Sequence, residues 1–139
     1  LFWTGVKRSA NEVLSSIDFS DSATEQKVQS IVKDCQHVFE KIQNKKIKNF
    51  EDIGKFFDKS WKTKKSLSKK ISNTIIDQSY NLAQEAGSVG GKVAGAGGGG
   101  FLLLITPSDK KKQVVNSLNN LISVPIRYEP YGSRVIMKN

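Results

Sequence analysis

An α+β fold, an antiparallel sheet with its helices packed on one face, is what this sequence of 139 residues predicts. Apolar residues recur with helical period over Ala23–Gln43, Asn49–Ser66 and Thr74–Ala86. After Gly87 the pattern changes to period two with many glycines. Helices and strands stand in separate blocks, with no run of βαβ units.

The elements follow in order. Leu1–Thr4 reads as a short buried strand and Gly5 as its exit. Ser9–Ile17 suits a short helix or an ordered loop, and Asp18–Ser22 a turn. Ala23–Gln43 predicts the clearest helix, because Val28, Ile31, Val32, Cys35, Val38, Phe39 and Ile42 fall on one stripe. Asp21 or Ser22 supplies its N-cap. A second helix is expected over Asn49–Ser66, with Phe50, Ile53, Phe56, Phe57 and Trp61 inward and Gly54 weakening it slightly. Leu67–Asn73 breaks the period. Asn73 then caps a third helix, Thr74–Ala86, which Gly87 terminates. Lys92–Ala94 and Phe101–Thr106 read as strands joined by a glycine loop. Pro107-Ser108-Asp109 opens a helix over Lys110–Leu121, with Val114, Val115, Leu118 and Leu121 inward. Val124–Tyr128 and Arg134–Met137 are strand candidates around the turn Glu129-Pro130-Tyr131-Gly132.

One domain of this length can bury a real core without staples. No apolar run is long enough to span a bilayer, so no membrane partner is expected. A single cysteine, Cys35, excludes an internal disulfide, and its place on the apolar stripe predicts burial. His37 has no neighbouring ligand cluster, so no metal site is expected in this chain. These features fit a reducing, cytoplasmic setting. The net charge of +9 comes mostly from scattered lysines, including Lys45, Lys46 and Lys48, Lys62, Lys64 and Lys65, Lys69 and Lys70, and Lys110–Lys112. With no arginine stripe and no interleaved aromatics, nucleic acid is not an expected partner. The charge suits a solvated surface, or a rim that attracts phosphorylated substrates. An apolar strand at the first residue, without Met or a signal pattern, is read as a start inside a larger protein.

The densest chemical signal lies in Gly90–Phe101, GGKVAGAGGGGF, where seven of twelve residues are glycine. Three readings fit it: an anion nest of inward N–H groups, a flexible hairpin tip, or a crossing where another backbone packs closely. It is not a Walker loop, because no Gly-Lys-Ser/Thr follows the glycines. It is not a dinucleotide fingerprint, because a strand follows where that motif needs a helix.

GKVAGAGGGGFLLLITP resembles the third conserved motif of the GHMP kinases, the galactokinase, homoserine, mevalonate and phosphomevalonate kinase superfamily. FWTGVKRSANEVL, WKTKKSLSKKISNTIIDQSYNLAQEAGSVGGK and YEPYGSRVI are similar to segments of its galactokinase-like and D-glycero-D-manno-heptose 7-phosphate kinase branch. The resemblance implies a ferredoxin-like C-terminal domain of a two-domain enzyme. That enzyme would transfer the ATP γ-phosphoryl to a sugar hydroxyl with Mg²⁺, on a heptose 7-phosphate or galactose-like substrate. The family's ATP-cradling loop, P-x-x-x-G-L-x-S-S-A, and its catalytic acid belong to the N-terminal domain. Neither pattern occurs here, so no catalytic residue and no bound cofactor are expected in this chain alone.

On that resemblance Gly95, Ala96, Gly97, Gly98, Gly99 and Gly100 form the active-site loop, packed against the ATP loop of the N-terminal domain. Thr4, Gly5 and Arg8 lie near the sugar side, where Arg8 could grip a substrate phosphate. Lys64, Lys65, Ser72, Asn73 and Asp77 line the substrate cleft, although Asn73 and Asp77 also suit a helix cap and a first-turn acid. Two other readings remain open at this point: a stand-alone basic module binding anions or nucleic acid without catalysis, and an interaction domain of ferredoxin-like build.

Overall fold

The computed structural model describes residues 1–47, 49–127 and 130–132. Among these the order is β1 (Phe2–Trp3), α1 (Ala10–Leu14), α2 (Ser22–Gln43), α3 (Phe50–Lys65), α4 (Thr74–Glu85), β2 (Gly90–Val93), β3 (Phe101–Ile105), α5 (Lys111–Ser117) and β4 (Ile122–Ser123). The helices start where short polar side chains satisfy free N–H groups. Asp21 accepts from the Ala23 and Thr24 amides, Asn49 from Asp52 at 3.0 Å, and Asn73 from Ile76 at 3.0 Å.

The strands form one antiparallel sheet in the order β2-β3-β1-β4. The first strand therefore sits inside the sheet, between two strands from the far end of the chain. Register sets the faces. Phe2 lies opposite Leu102, and Leu102 opposite Val93, so all three share one face. They are buried with Val13 of α1, Trp61 of α3, Ile76, Tyr80 and Ala83 of α4, and Val114 and Leu118 in and after α5. This is the expected α+β arrangement.

α3 runs beside β2 at very close range. A Cβ on Gly90 would lie 2.1 Å from the Gly54 carbonyl oxygen, and one on Gly54 2.8 Å from Val89 Cβ. Gly54 is thus the contact that lets helix meet strand, and not merely a weak point in α3. Beside it Asp58 accepts hydrogen bonds from Lys62 at 2.7 Å, Tyr80 at 2.8 Å and Gln84 at 3.1 Å. The Tyr80 hydroxyl accepts from the Gly91 amide at 3.1 Å. Burial raises the pKa of Asp58, but the bonds from Lys62, Tyr80 and Gln84, with the Lys62 charge, outweigh it and hold the carboxyl below its ordinary value. Burial, then the Asp58 bond, pushes the Tyr80 phenol up.

Several expectations need correction, among them that Phe50 and Val115 face inward, since both are exposed. Cys35 is exposed and not buried. On the stripe that carries it, Val32, Phe39 and Ile42 are also exposed, and Thr24 is the buried residue of α2. The cause is position: α2 is an outer layer on α3, tied by Lys59–Asp34 at 2.7 Å. One neighbouring helix covers less than the width of that stripe. The helix after Pro107 stops at Ser117, short of Leu121. The Ser117 hydroxyl donates to the Val114 carbonyl at 3.0 Å, a local bond that competes with helix continuation. Consequently the next strand is Ile122–Ser123, two residues earlier than expected. Val124 N donates to the Leu1 carbonyl at 2.8 Å as the pairing ends. Tyr128, Glu129 and Arg134–Met137 lie outside the described residues.

Among the described residues no helix is long and apolar enough to cross a membrane.

Candidate functional site

Residues Gly95–Gly100 link β2 to β3, and their path is set by backbone packed directly on backbone. A Cβ on Gly97 would lie 2.6 Å from the Ile71 carbonyl oxygen. On Gly98 it would lie 2.5 Å from Arg8 Cδ and Nε, and on Gly99 2.5 Å from the Val6 carbonyl oxygen. Gly97 and Gly98 also have φ of 109° and 72°, a region that side-chain-bearing residues rarely occupy. Of the three readings of the loop, close crossing is what these three positions display.

The loop's polar groups follow suit. Gly98 N donates to the Ile71 carbonyl at 2.6 Å, and Gly100 N to the Val6 carbonyl at 2.9 Å. Those two amides are spent inside the protein, so they do not face an anion.

The residues singled out from sequence gather around this loop from three segments. From the first, Thr4 is buried, and its amide and hydroxyl both donate to the Gly100 carbonyl, at 2.9 and 2.8 Å. Gly5 turns the chain with φ of 75°. Arg8 is an exposed residue whose stem rests against Gly98.

From the end of α3, Lys64 Nζ donates to the Gly95 carbonyl. Burial, and then the Lys92 charge, lower its pKa. Lys65 pairs with Asp77 at 2.7 Å.

From the start of α4, Asn73 does two jobs at once. Its Oδ1 caps the helix through Ile76 N, and its Nδ2 donates to the Gly98 carbonyl at 2.9 Å. Asp77 accepts from Ser72 at 2.8 Å as well as from Lys65. The two alternatives weighed for Asn73 are therefore one arrangement, in which the cap is also the tether of the loop.

Two open hollows flank the loop. One is lined by Lys65, Ser68, Lys69, Ser72, Asn73 and Asp77. The other is lined by Trp3, Val6, Arg8, Ala96, Gly97 and Gly99, among others. Sequence reasoning missed Lys70 and Ile71, whose carbonyl oxygens bear on Gly98 and Gly97. A backbone group leaves no mark on residue type, and the only hint was an isolated apolar Ile71 in a polar connector.

The family model described as GHMP kinases C terminal matches residues 38–123, more than half of the chain. The chain belongs to this family. Among curated proteins, this GHMP kinase domain is similar to the D-glycero-alpha-D-manno-heptose 7-phosphate kinase of Campylobacter jejuni. The two are 30% identical over 70 residues, which is 50% of this chain and 21% of that protein. Among solved structures, the mevalonate kinase of Methanococcus jannaschii superposes with a TM-score of 0.70 at 26% identity, over 86% of this chain and 35% of that one. The mevalonate kinase of L. major, in complex with R-mevalonate, gives 0.65 at 17% identity over 86% and 36%, a likeness of fold. The chain therefore spans well under two thirds of each relative's length. These matches do not single out the galactokinase-like branch.

GHMP kinases are ATP-dependent phosphotransferases, a chemistry that needs groups to hold phosphates and Mg²⁺. The described residues contain no group of three or more His, Cys, Asp or Glu that could hold a metal. With Gly98 N and Gly100 N already engaged, they do not build a complete cradle for ATP and Mg²⁺. What they build is one charged wall with a rigid loop.

Proposed function

We propose that this domain is the C-terminal half of an ATP-dependent sugar-phosphate kinase, with a heptose 7-phosphate-like substrate. A separate N-terminal domain of the same protein would supply the ATP loop, the Mg²⁺ site and the catalytic acid. One observation carries the reading of substrate. Arg8, a bidentate donor, is pressed against the loop at Gly98, while Lys65 and Lys69 line the adjoining hollow. Such cations suit a substrate that already bears a phosphate. A neutral sugar gains less from them.

In this reading Arg8 grips the substrate phosphate. Asn73 and Thr4 fix the loop through the Gly98 and Gly100 carbonyls. Asp77 holds Lys65 in position. Phosphoryl transfer rests largely on positioning and on charge stabilisation, so a wall fixed at this many points serves it well.

The test is ATP consumption by the full-length protein on heptose 7-phosphate, galactose, fucose and mevalonate, with this domain alone as the negative control. Turnover on the phosphorylated sugar is expected from the full-length protein alone. In the Arg8→Gln variant, KM for that sugar should rise about tenfold or more, the size of a lost charge-assisted hydrogen bond. Turnover on mevalonate or on a neutral sugar only would overturn the proposed substrate class. Turnover by the isolated domain would overturn the division of labour.

A further inference from the structure

Beside the glycine loop stands an aromatic pair that the grip on a substrate phosphate leaves unused. Phe2 and Leu102 face the core, so their strand neighbours Trp3 and Phe101 face the other way. These two are register partners, with ring centroids 5.0 Å apart and planes inclined at 53°. Trp3 is half-buried and Phe101 is 39% exposed. Both rings line the hollow that Lys7 and Arg8 also line, a space of about 320 Å³. That is enough for a small ligand, and its walls are aromatic and cationic together.

The same hollow offers hydrogen-bond donors that the fold does not consume. The Gly98 and Gly100 amides are spent inside the protein, but those of Gly97 and Gly99, which line this hollow, make no hydrogen bond among the described residues. Both residues are buried, where an amide without an acceptor is costly. The indole N–H of Trp3 makes no hydrogen bond among the described residues either, and unlike that of Trp61 it is not sealed in the core.

We infer that this hollow holds the ring of the substrate sugar, with its C–H face on Trp3 and Phe101 and its phosphate at Arg8 and Lys7. The inference rests on the sugar-phosphate reading above and adds the residues that select the ring. A sugar ring carries a face of C–H groups and a rim of hydroxyls. The C–H groups suit the electron-rich face of an indole. The hydroxyl oxygens accept from the Gly97 and Gly99 amides and the Trp3 indole, and the phosphate accepts from the Arg8 guanidinium. The inclination of the rings favours this occupant over a purine. A flat base is held best between parallel faces, whereas planes at 53° make an open trough that suits a puckered ring.

The test uses the full-length protein, with Trp3 emission read as the difference between wild type and Trp3→Phe. Heptose 7-phosphate is expected to change that emission saturably, while ATP alone or inorganic phosphate alone leaves it unchanged. Trp3→Leu keeps an apolar side chain but loses the ring, so KM for heptose 7-phosphate should rise about fivefold with KM for ATP unchanged. Trp3→Phe should bring it back to within about twofold of wild type, a rescue that a merely structural role would not single out for one substrate. Where Trp3→Leu does not fold, Phe101→Leu, at the more exposed ring, takes its place. Emission that ignores heptose 7-phosphate, or an unchanged KM in Trp3→Leu, overturns the platform and leaves the kinase reading standing wherever turnover on that sugar persists. Emission that responds without any turnover upholds the platform and overturns the kinase reading alone. Silence in both overturns both. A response to ATP and none to the sugar gives the trough to the purine and overturns the inference.

Discussion

The glycine loop and helix α2 are opposites within one small domain. In the loop, positions 97 to 99 each meet a neighbour within 2.6 Å of where a side chain would begin. On α2, large apolar side chains at 32, 39 and 42 meet solvent. The loop is fixed although its residues are intrinsically the most flexible. The helix is intrinsically regular and yet mostly uncovered. Rigidity here comes from what surrounds a segment and not from its composition.

The largest expected effect sharpens that contrast. Gly97→Val forces a branched side chain onto the Ile71 carbonyl at a positive φ. It should cost about 3 kcal/mol or more and lower the thermal midpoint sharply, because overpacking and backbone strain add. The Ile71 contact is part of the fold itself, so the variant is a test of packing. A midpoint within a degree or two of wild type would break the comparison.

Next is Asn73→Ala, which deletes a cap and leaves the Gly98 carbonyl without its side-chain donor. The expected loss is about 2 kcal/mol in chemical denaturation, the sum of a cap and a hydrogen bond. A loss of under about 0.5 kcal/mol would mean that the tether contributes little.

Asp58 gives a pH signature. Its folded pKa is depressed, so it stabilises the fold at neutral pH, above the unfolded carboxylate value near 4. That contribution fades as pH falls through the lower folded value. The stability gap between wild type and Asp58→Asn should therefore be widest near pH 7 and shrink below about pH 4. A gap that stays constant down to pH 2 would show that the carboxylate charge is not what matters.

The smallest effect belongs to Gly95, which has φ of 78° but open space around its Cβ position. Gly95→Asn should cost under about 1 kcal/mol, because asparagine tolerates the left-handed region. A large loss there would show that the whole loop is crowded, and not just its middle.

The helices, the caps at Asp21 and Asn73, and the antiparallel sheet were legible because each rests on side-chain pattern. The grouping of Thr4, Arg8, Lys64, Asn73 and the loop followed from a resemblance and not from periodicity. What sequence hid was of two kinds. Backbone carbonyls at Ile71, Lys70 and Val6 shape the loop without any residue signature. The exposure of Cys35 and Phe39 depends on how many layers lie outside α2, and an apolar stripe does not reveal what covers it.

The clasp between Thr4 and Gly100 joins residues 96 apart in sequence, and this bears on the order of events during synthesis. β1 emerges first but lies between β3 and β4, both made near the end. At ordinary translation speeds it waits about 5–20 s for its neighbours. During that interval Phe2 and Trp3 have no strand to pair with, and the loop has no clasp. The loop and its clasp are therefore assembled last, and a chain stopped short of residue 100 can contain most of its helices and still lack the candidate site.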